Sequence, residues 1–404
     1  METGPILRAL MHNKTSFILI ALQIAVTMAI MVNAIGIIQE RSIQMSRPTG
    51  VDEANIFYLK SVVFNAAANY EAQITEDLDA IRNSPGVRNA VMTNTVPLQG
   101  GGWSSELQLE PGVDITGTGV AMYFVDEQGI DTFGVNLIAG RNFDANEINW
   151  HDFETNDWPP LGIVTVGTAE ELYPDEPAEA ILGKTIYVNS DEPVTIIGVV
   201  ERMQAAWNSW SGVERSMLVP VKRGSSAVRY VIRTEPGYRD EVMPQIEDML
   251  ASSGSDRLIR GMETMADTRK QSYLEDAAMV KLLTFIVVLL TAITGLGIVG
   301  LASFSVARRT KQIGTRRALG ATKPAILRYF MLENFIISST GVVGGAMLAI
   351  ALNIWMVEAF NLQRIAWYLI PAAMITLWAV GQLAVFGPAR RATNVPPALA
   401  TRSV

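Results

Sequence analysis

Residues 282–307 read LLTFIVVLLTAITGLGIVGLASFSVA, a run that contains no charged side chain. A helix needs about 20 apolar residues to cross about 30 Å of hydrocarbon, so this run predicts a transmembrane helix. Three more runs of this kind occur, one near the start of the sequence and two towards its end. We therefore predict four transmembrane helices, at residues 15–39, 281–306, 329–357 and 365–387. The first is longer than the apolar core of a cleaved signal peptide, about 7–15 residues, so we expect it to be retained as an anchor.

The stretch that follows the quoted run, residues 308–323, reads RRTKQIGTRRALGATK and contains no acidic residue. Short loops rich in Lys and Arg stay on the cytoplasmic side of a membrane. Both chain ends are basic as well, and four spans place the two ends on the same side. Residues 1–14, 307–328 and 388–404 are therefore predicted to be cytoplasmic. The first of these also places apolar side chains along one face of a helix, which predicts an amphipathic segment.

Residues 40–280, between the first two spans, form the predicted outer domain. They contain 18 basic and 37 acidic residues, which gives a net charge of −19. Their periodicity predicts helices around 74–81 and 242–250 and strands at 87–91, 163–166, 185–188, 194–200, 217–221 and 228–232. The predicted fold is thus a membrane protein with four transmembrane α-helices and a large α+β extracytoplasmic domain between helices 1 and 2. Within that domain, a β-rich insertion separates two α/β halves.

Residues 262–290 contain neither Pro nor Gly. We therefore expect one continuous helix from Met262 through Asp276 into the second span. Such a helix would be stiff enough to carry movement between membrane and outer domain, although an ordinary juxtamembrane helix would show the same pattern.

Several classes of function are disfavoured by composition. The chain has no Cys, so catalysis by a thiol is excluded. Only His12 and His151 could supply the imidazole of a Ser-His-Asp triad, which disfavours that class of enzyme. The acidic patch at 152–157 misses the spacing of a calcium loop, and we predict no catalytic residue and no metal site. Gly100–Gly102 resembles a loop more than a phosphate site. The net charge of −8 argues against nucleic-acid binding.

Glycines in the second and third spans offer faces on which helices can pack closely. They are Gly295, Gly297, Gly300, Gly341, Gly344 and Gly345. Packing within one subunit and packing between subunits are both open interpretations of these positions.

The basic stretch resembles a segment of the MacB/FtsX-like permeases of ABC transporters, in the pattern R-R-x-x-x-I-G-x-R-R-A-L-G-A followed by Ile326, Leu327, Phe330 and Glu333. Further landmarks occur in the order of that family. They include Leu7–Leu10, Ser84–Val87, Phe133–Val135, Gly140–Phe143, Ile181–Lys184, Ile197–Val200, Pro388–Ala392 and Pro397–Leu399. The resemblance covers essentially the whole sequence.

This resemblance implies a non-enzymatic permease subunit of a mechanotransmission (type VII) transporter. The 404 residues hold no G-x-x-x-x-G-K-[ST] loop, so ATP and Mg²⁺ are expected on a separate pair of ATPase subunits, and this chain is expected to bind no cofactor directly. The resemblance assigns the ATPase-coupling surface to Arg308, Arg309, Ile313, Gly314, Arg316, Arg317, Ala318, Leu319 and Gly320.

The resemblance further implies a bacterial inner-membrane location, contact with lipid, a second identical or paralogous permease, and a periplasmic domain that moves to export a substrate. A periplasmic adaptor and an outer-membrane channel are further candidate partners. Two alternatives stay open. One is an FtsX-like transmitter that controls an extracellular enzyme, and the other is a lipoprotein-release permease.

Overall fold

The computed structural model describes residues 14–65, 69–151, 158–254, 256–360 and 364–396. The predicted amphipathic segment, Lys14 apart, the acidic patch at 152–157 and the end of the tail from Pro397 lie outside these ranges. The chain divides into two compact units. One comprises the membrane helices, and the other is the outer domain, Ser46–Glu275.

The α-helices of the described ranges are α1 (Lys14–Ser46), α2 (Tyr70–Arg82), α3 (Gly129–Phe133), α4 (Val166–Leu172), α5 (Arg239–Ser252), α6 (Met265–Ser272), α7 (Leu274–Arg308), α8 (Thr310–Ala318), α9 (Lys323–Phe360) and α10 (Leu369–Ala392). The strands are β1 (Ile56–Val63), β2 (Val87–Thr93), β3 (Trp103–Gln108), β4 (Thr118–Val125), β5 (Leu137–Gly140), β6 (Asn149–Trp150), β7 (Leu161–Thr165), β8 (Thr185–Val188), β9 (Glu192–Val200), β10 (Ser216–Lys222), β11 (Ala227–Thr234) and β12 (Arg257–Thr264).

Four of these helices, α1, α7, α9 and α10, are long and apolar enough to cross a membrane. The α+β domain lies between the first two in sequence, so the predicted fold class is confirmed. The helices extend beyond the uncharged runs because helical hydrogen bonding does not stop where hydrocarbon ends.

The expected continuous helix from Met262 is wrong. Residues 262–264 end strand β12, and the Thr264 hydroxyl then accepts a hydrogen bond from the Asp267 amide, which starts α6. Tyr273, with φ −101° and ψ 15°, separates α6 from α7. We did not predict this break, because the sequence there has no Pro or Gly. A threonine cap can begin a new helix without either residue.

Helix α1 packs closely against α9 through two glycines one turn apart. A Cβ atom on Gly341 would lie 2.8 Å from the Ala21 carbonyl oxygen, and one on Gly345 would lie 2.6 Å from Cβ of Met28. Small residues at this spacing let two helix backbones approach each other. Polar contacts add to this packing, since the Thr27 and Thr294 hydroxyls lie 2.8 Å apart between α1 and α7.

The outer domain contains a four-stranded antiparallel sheet in the order β12-β1-β11-β2. Its strands come from the two ends of the domain sequence. Apolar side chains of α2 and α5, including Leu78 and Ile246, pack with Phe57, Leu59 and Tyr230 of the sheet. The predicted arrangement of a β-rich insertion between two α/β halves is confirmed.

The insertion forms an eight-stranded sheet whose pairings close on themselves. Six strands follow one another in the order β4-β3-β8-β9-β7-β10, and β10 pairs in parallel with β4. The two remaining strands, β5 and β6, pair with β9 and β10. Closure leaves the ring without a free edge at which other chains could pair.

Strand β4 is buried on both faces. Ala121, Tyr123 and Val125 belong to the core shared with the four-stranded sheet. Val120, Met122 and Phe124 belong to the core of the closed sheet. Successive side chains of a strand point to opposite faces of the sheet, so β4 contributes to both cores.

A buried ion pair connects α2 to β12. The Arg257 guanidinium donates to both Asp77 carboxylate oxygens at 2.9 and 2.8 Å, and the Tyr230 hydroxyl donates to Asp77 Oδ2 at 2.6 Å. The Arg257 side chain is 2% exposed and that of Asp77 is 7% exposed. The removal of one partner would leave the other charge buried without compensation.

We expect Gly345→Ala to destabilise the protein by about 1–3 kcal/mol, because its methyl group would collide with Met28 and Ala25. Gly344→Ala is the matched control, since no atom of the described residues lies within 4 Å of its added Cβ. Thermal unfolding of the detergent-solubilised protein measures both. Equal midpoints for the two variants would contradict the close packing of α1 and α9.

We expect Arg257→Gln to lower the free energy of unfolding by about 3–5 kcal/mol, because it leaves the Asp77 carboxylate buried and unpaired. Arg88→Gln removes an exposed ion pair with Asp131, in which both side chains are more than two fifths exposed. Its expected cost is below about 1 kcal/mol. Denaturant titration followed by tryptophan fluorescence compares the two, and a similar loss in both would show that burial does not matter here.

Candidate coupling surface

The predicted coupling segment contains a short helix, α8, between α7 and α9. It begins after Arg309 and ends before Leu319. The backbone then turns at Gly320, whose φ of +96° is a conformation that glycine adopts without strain. The chain enters α9 three residues later.

The inward face of α8 is apolar. Ile313 is 5% exposed and packs with Ile326 and Phe330 of α9 and with Ala389 of α10. The neighbouring Gly314 is buried as well. Helix α8 is thus part of the membrane unit's own core.

Two of the arginines bind within the same unit. Arg309 Nη1 donates to both carboxylate oxygens of Glu333 on α9, at 3.0 and 2.9 Å, and the two side chains are only 14% and 9% exposed. Arg317 Nη1 donates to the carbonyl oxygens of Thr393 and Val395, at 3.0 and 2.8 Å, just beyond α10. Each interaction fixes α8 to a different membrane helix.

The outward face of α8 carries exposed basic and apolar side chains. Leu319 is 83% exposed, which is unusual for a large apolar residue next to a packed core. The exposed Arg316 guanidinium lies 4.8 Å from the centroid of the Tyr329 ring, and the Arg308 guanidinium lies 5.7 Å from that of Phe304. These contacts hold the two guanidinium groups against aromatic rings without taking them out of solvent.

A cavity of about 240 Å³ lies between α8 and the start of α9. Gln312 and Arg316 contribute polar atoms to it, and Ala325, Tyr329 and Phe330 contribute apolar ones. A groove of this size can accept one or two side chains of another protein.

The nine predicted coupling residues therefore divide into two groups. The exposed group contains Arg308, Arg316, Ala318, Leu319 and Gly320. The remaining four, Arg309, Ile313, Gly314 and Arg317, are buried or half-buried and turn towards α9 and α10. Sequence analysis did not assign Glu333 to the site, although an acidic residue at the start of an apolar span, close to a basic loop, was a signal for such a pair.

The predicted packing glycines also divide. Gly341 and Gly345 contact α1, and a Cβ on Gly297 would lie 2.7 Å from the Gln23 side chain. Gly295 lies at ordinary distance from Val380. Gly300 and Gly344 have no described neighbour within 4 Å of an added Cβ. Packing within the subunit thus accounts for four of the six positions.

Across the described ranges, no three or more His, Asp or Glu side chains lie close enough to hold a metal ion. The contacts that the structure shows in the predicted coupling segment are ion pairs, hydrogen bonds, cation–π contacts and apolar packing.

Comparison with known proteins gives one matching family model for each of the two parts of the chain. The family model for a MacB-like periplasmic core domain matches residues 15–249, and the model for an FtsX-like permease C-terminal region matches residues 284–397. A macrolide export ATP-binding/permease protein MacB from Campylobacter jejuni is 26% identical over 283 residues, which are 65% of this chain and 42% of that protein. One from Neisseria gonorrhoeae is 26% identical over 58% of this chain and 35% of its own length.

The chain thus spans about two fifths of the length of the curated relatives it matches. Among solved structures, the periplasmic region of MacB from Actinobacillus actinomycetemcomitans aligns with a TM-score of 0.33 and 15% identity, over 57% of this chain and 97% of that structure. Because the MacB-like model alone covers more than half of the sequence, the chain belongs to the family of MacB/FtsX-like ABC transporter permeases.

Proposed function

We propose that this chain is the membrane subunit of an ATP-driven exporter in which a separate pair of ATPase subunits binds and hydrolyses ATP with Mg²⁺. Nucleotide-driven movement of the ATPase displaces α8, and the membrane helices pass that movement to the outer domain, which extrudes a substrate. Family membership supports the permease role. The chain itself supplies contact surfaces and stiffness and performs no bond chemistry.

The observation that carries this proposal is the two-sided construction of α8. Its inner side is fixed to α9 by the Arg309–Glu333 ion pair and to the end of α10 by Arg317. Its outer side presents Leu319 and Arg316 beside a groove. A force applied to the outer side therefore reaches two membrane helices through short, buried contacts, which resist deformation better than exposed ones.

We propose a bacterial inner-membrane location with both ends and α8 in the cytoplasm and the acidic domain in the periplasm. The basic loops support this orientation, because Arg308 is exposed at the end of α7, and Lys311 and Arg316 are exposed on α8.

We assign a second permease subunit, identical or paralogous, to the exposed face of α7. Only 11% of the apolar window of α7 is buried, against 50% of that of α1. The unfilled position at Gly300 lies on the same helix. An adaptor and an outer-membrane channel remain candidate partners of the outer domain.

We expect Leu319→Asn to weaken binding of the ATPase by about 2 kcal/mol, or about 30-fold, because an apolar side chain would no longer be buried at the interface. Stimulation of ATP turnover by the reconstituted permease should fall in parallel. Val113→Asn is the matched control, since Val113 is 86% exposed on the outer domain. Unchanged binding in Leu319→Asn, with the protein folded, would contradict the docking surface.

The orientation can be tested with single cysteines, because the natural chain has none. In spheroplasts we expect a membrane-impermeant maleimide to label Val113→Cys directly. Leu319→Cys should react only after the membrane is permeabilised. The reverse pattern would place the domain and α8 on the opposite sides.

A further inference from the structure

Three basic residues form a row across the four-stranded sheet of the outer domain. Lys60 on β1 is the direct partner of Arg229 on β11 and of Arg260 on β12. Thr93 on β2 continues the row as the partner of Arg229. Direct cross-strand partners share one face of a sheet, and like charges in such positions repel each other. The row is therefore a local electrostatic cost in a domain whose net charge is −19.

Among the described residues, no carboxylate lies within ion-pair distance of these three side chains. Glu263, on the neighbouring part of β12, accepts a hydrogen bond from the Tyr58 hydroxyl at 2.8 Å. Burial lowers the pKa of the Lys60 ammonium, and the charges of Arg229 and Arg260 lower it further. Burial lowers the pKa of the Arg229 guanidinium, and the Glu263 charge raises it from beyond ion-pair distance, so the described residues compensate the row only in part.

Arg229 is the most buried member of the row. It is 7% exposed, and its Nη1 donates to the Asn94 carbonyl oxygen. Its Nε is buried as well and has no hydrogen-bond partner among the described residues. The accessible part of a guanidinium is a strong donor to carboxylate or phosphate oxygen.

Lys60, Arg223 and Arg229 line a cavity of about 570 Å³ between the four-stranded sheet and the β3–β4 hairpin. Trp103 and Phe124 contribute aromatic surface to it, with ring centroids 5.9 Å apart. Its lining contains no acidic residue among those that the structure describes. Its volume falls within the range of small-molecule sites, about 300–1,000 Å³.

We propose that this cavity binds an organic anion. Lys60 and the Arg229 guanidinium bind its phosphate or carboxylate group, and its flat apolar part lies against Trp103. The aromatic surface favours a flat group, because rings stack on indole with little loss of conformational entropy. The acidic domain as a whole repels anions, so binding depends on the basic residues that line the cavity, which are Lys60, Arg223 and Arg229. This inference does not require ATP-driven export, and it holds for the permease by itself.

The test uses the full chain in phosphatidylcholine nanodiscs and titrates 1-naphthyl phosphate by isothermal calorimetry. Lys60→Gln should weaken its binding about tenfold, the effect of one lost charged hydrogen bond. Lys184→Gln is the matched control, since Lys184 forms a surface pair with Glu176 at 2.6 Å elsewhere on the domain. It should bind 1-naphthyl phosphate as the natural protein does.

Lys60 is chosen because it is half-buried, whereas Arg229→Gln would also remove the buried hydrogen bond to Asn94.

Without ligand, Lys60→Gln should raise the unfolding temperature, because it removes like-charge repulsion. With 1-naphthyl phosphate, the natural protein should gain more stability than this variant. The proposal is overturned if Lys60→Gln binds 1-naphthyl phosphate with unchanged affinity, or if uncharged 1-naphthol binds the natural protein equally well.

Discussion

Helices in hydrocarbon gain nothing from expelling water, so the membrane unit depends on how closely its backbones approach. Gly341 and Gly345 provide that approach between α9 and α1. Close contact lets Met28 and Ile24 become fully buried and makes α1 the most enclosed of the four spans. The hydroxyl pair of Thr27 and Thr294 adds a polar contact between α1 and α7.

Charge is used differently in the two units. In the membrane unit, the Arg309–Glu333 ion pair is largely buried and connects the start of α8 to α9. In the outer domain, Arg257 and Asp77 form an equally buried pair, yet the row through Lys60 and Arg229 has no such partner. The Arg257 pair connects α2 to β12, whereas Lys60 and Arg229 line the cavity to which we assign an organic anion.

The apolar runs predicted all four spans, since a helix satisfies the backbone hydrogen bonds of a single apolar segment within that segment. Strands β1 and β4 were missed because both of their faces are buried, which replaces the alternating pattern with continuous runs such as Val120–Val125. The sequence pattern identified the predicted coupling segment, but it did not show which of its side chains turn towards α9 and α10. Arg308 and Arg309 are adjacent and chemically identical, and only the position of Glu333 on another helix separates their roles.

Strands β1 and β12 open and close the outer domain and are hydrogen-bonded neighbours. Its entry and exit points therefore lie side by side, as in a module inserted into a hairpin. A domain whose first and last strands are neighbours can be inserted into another protein at a single site, because its two ends are only a short distance apart. The two connections to the membrane helices can therefore stay the same while the rest of the outer domain changes.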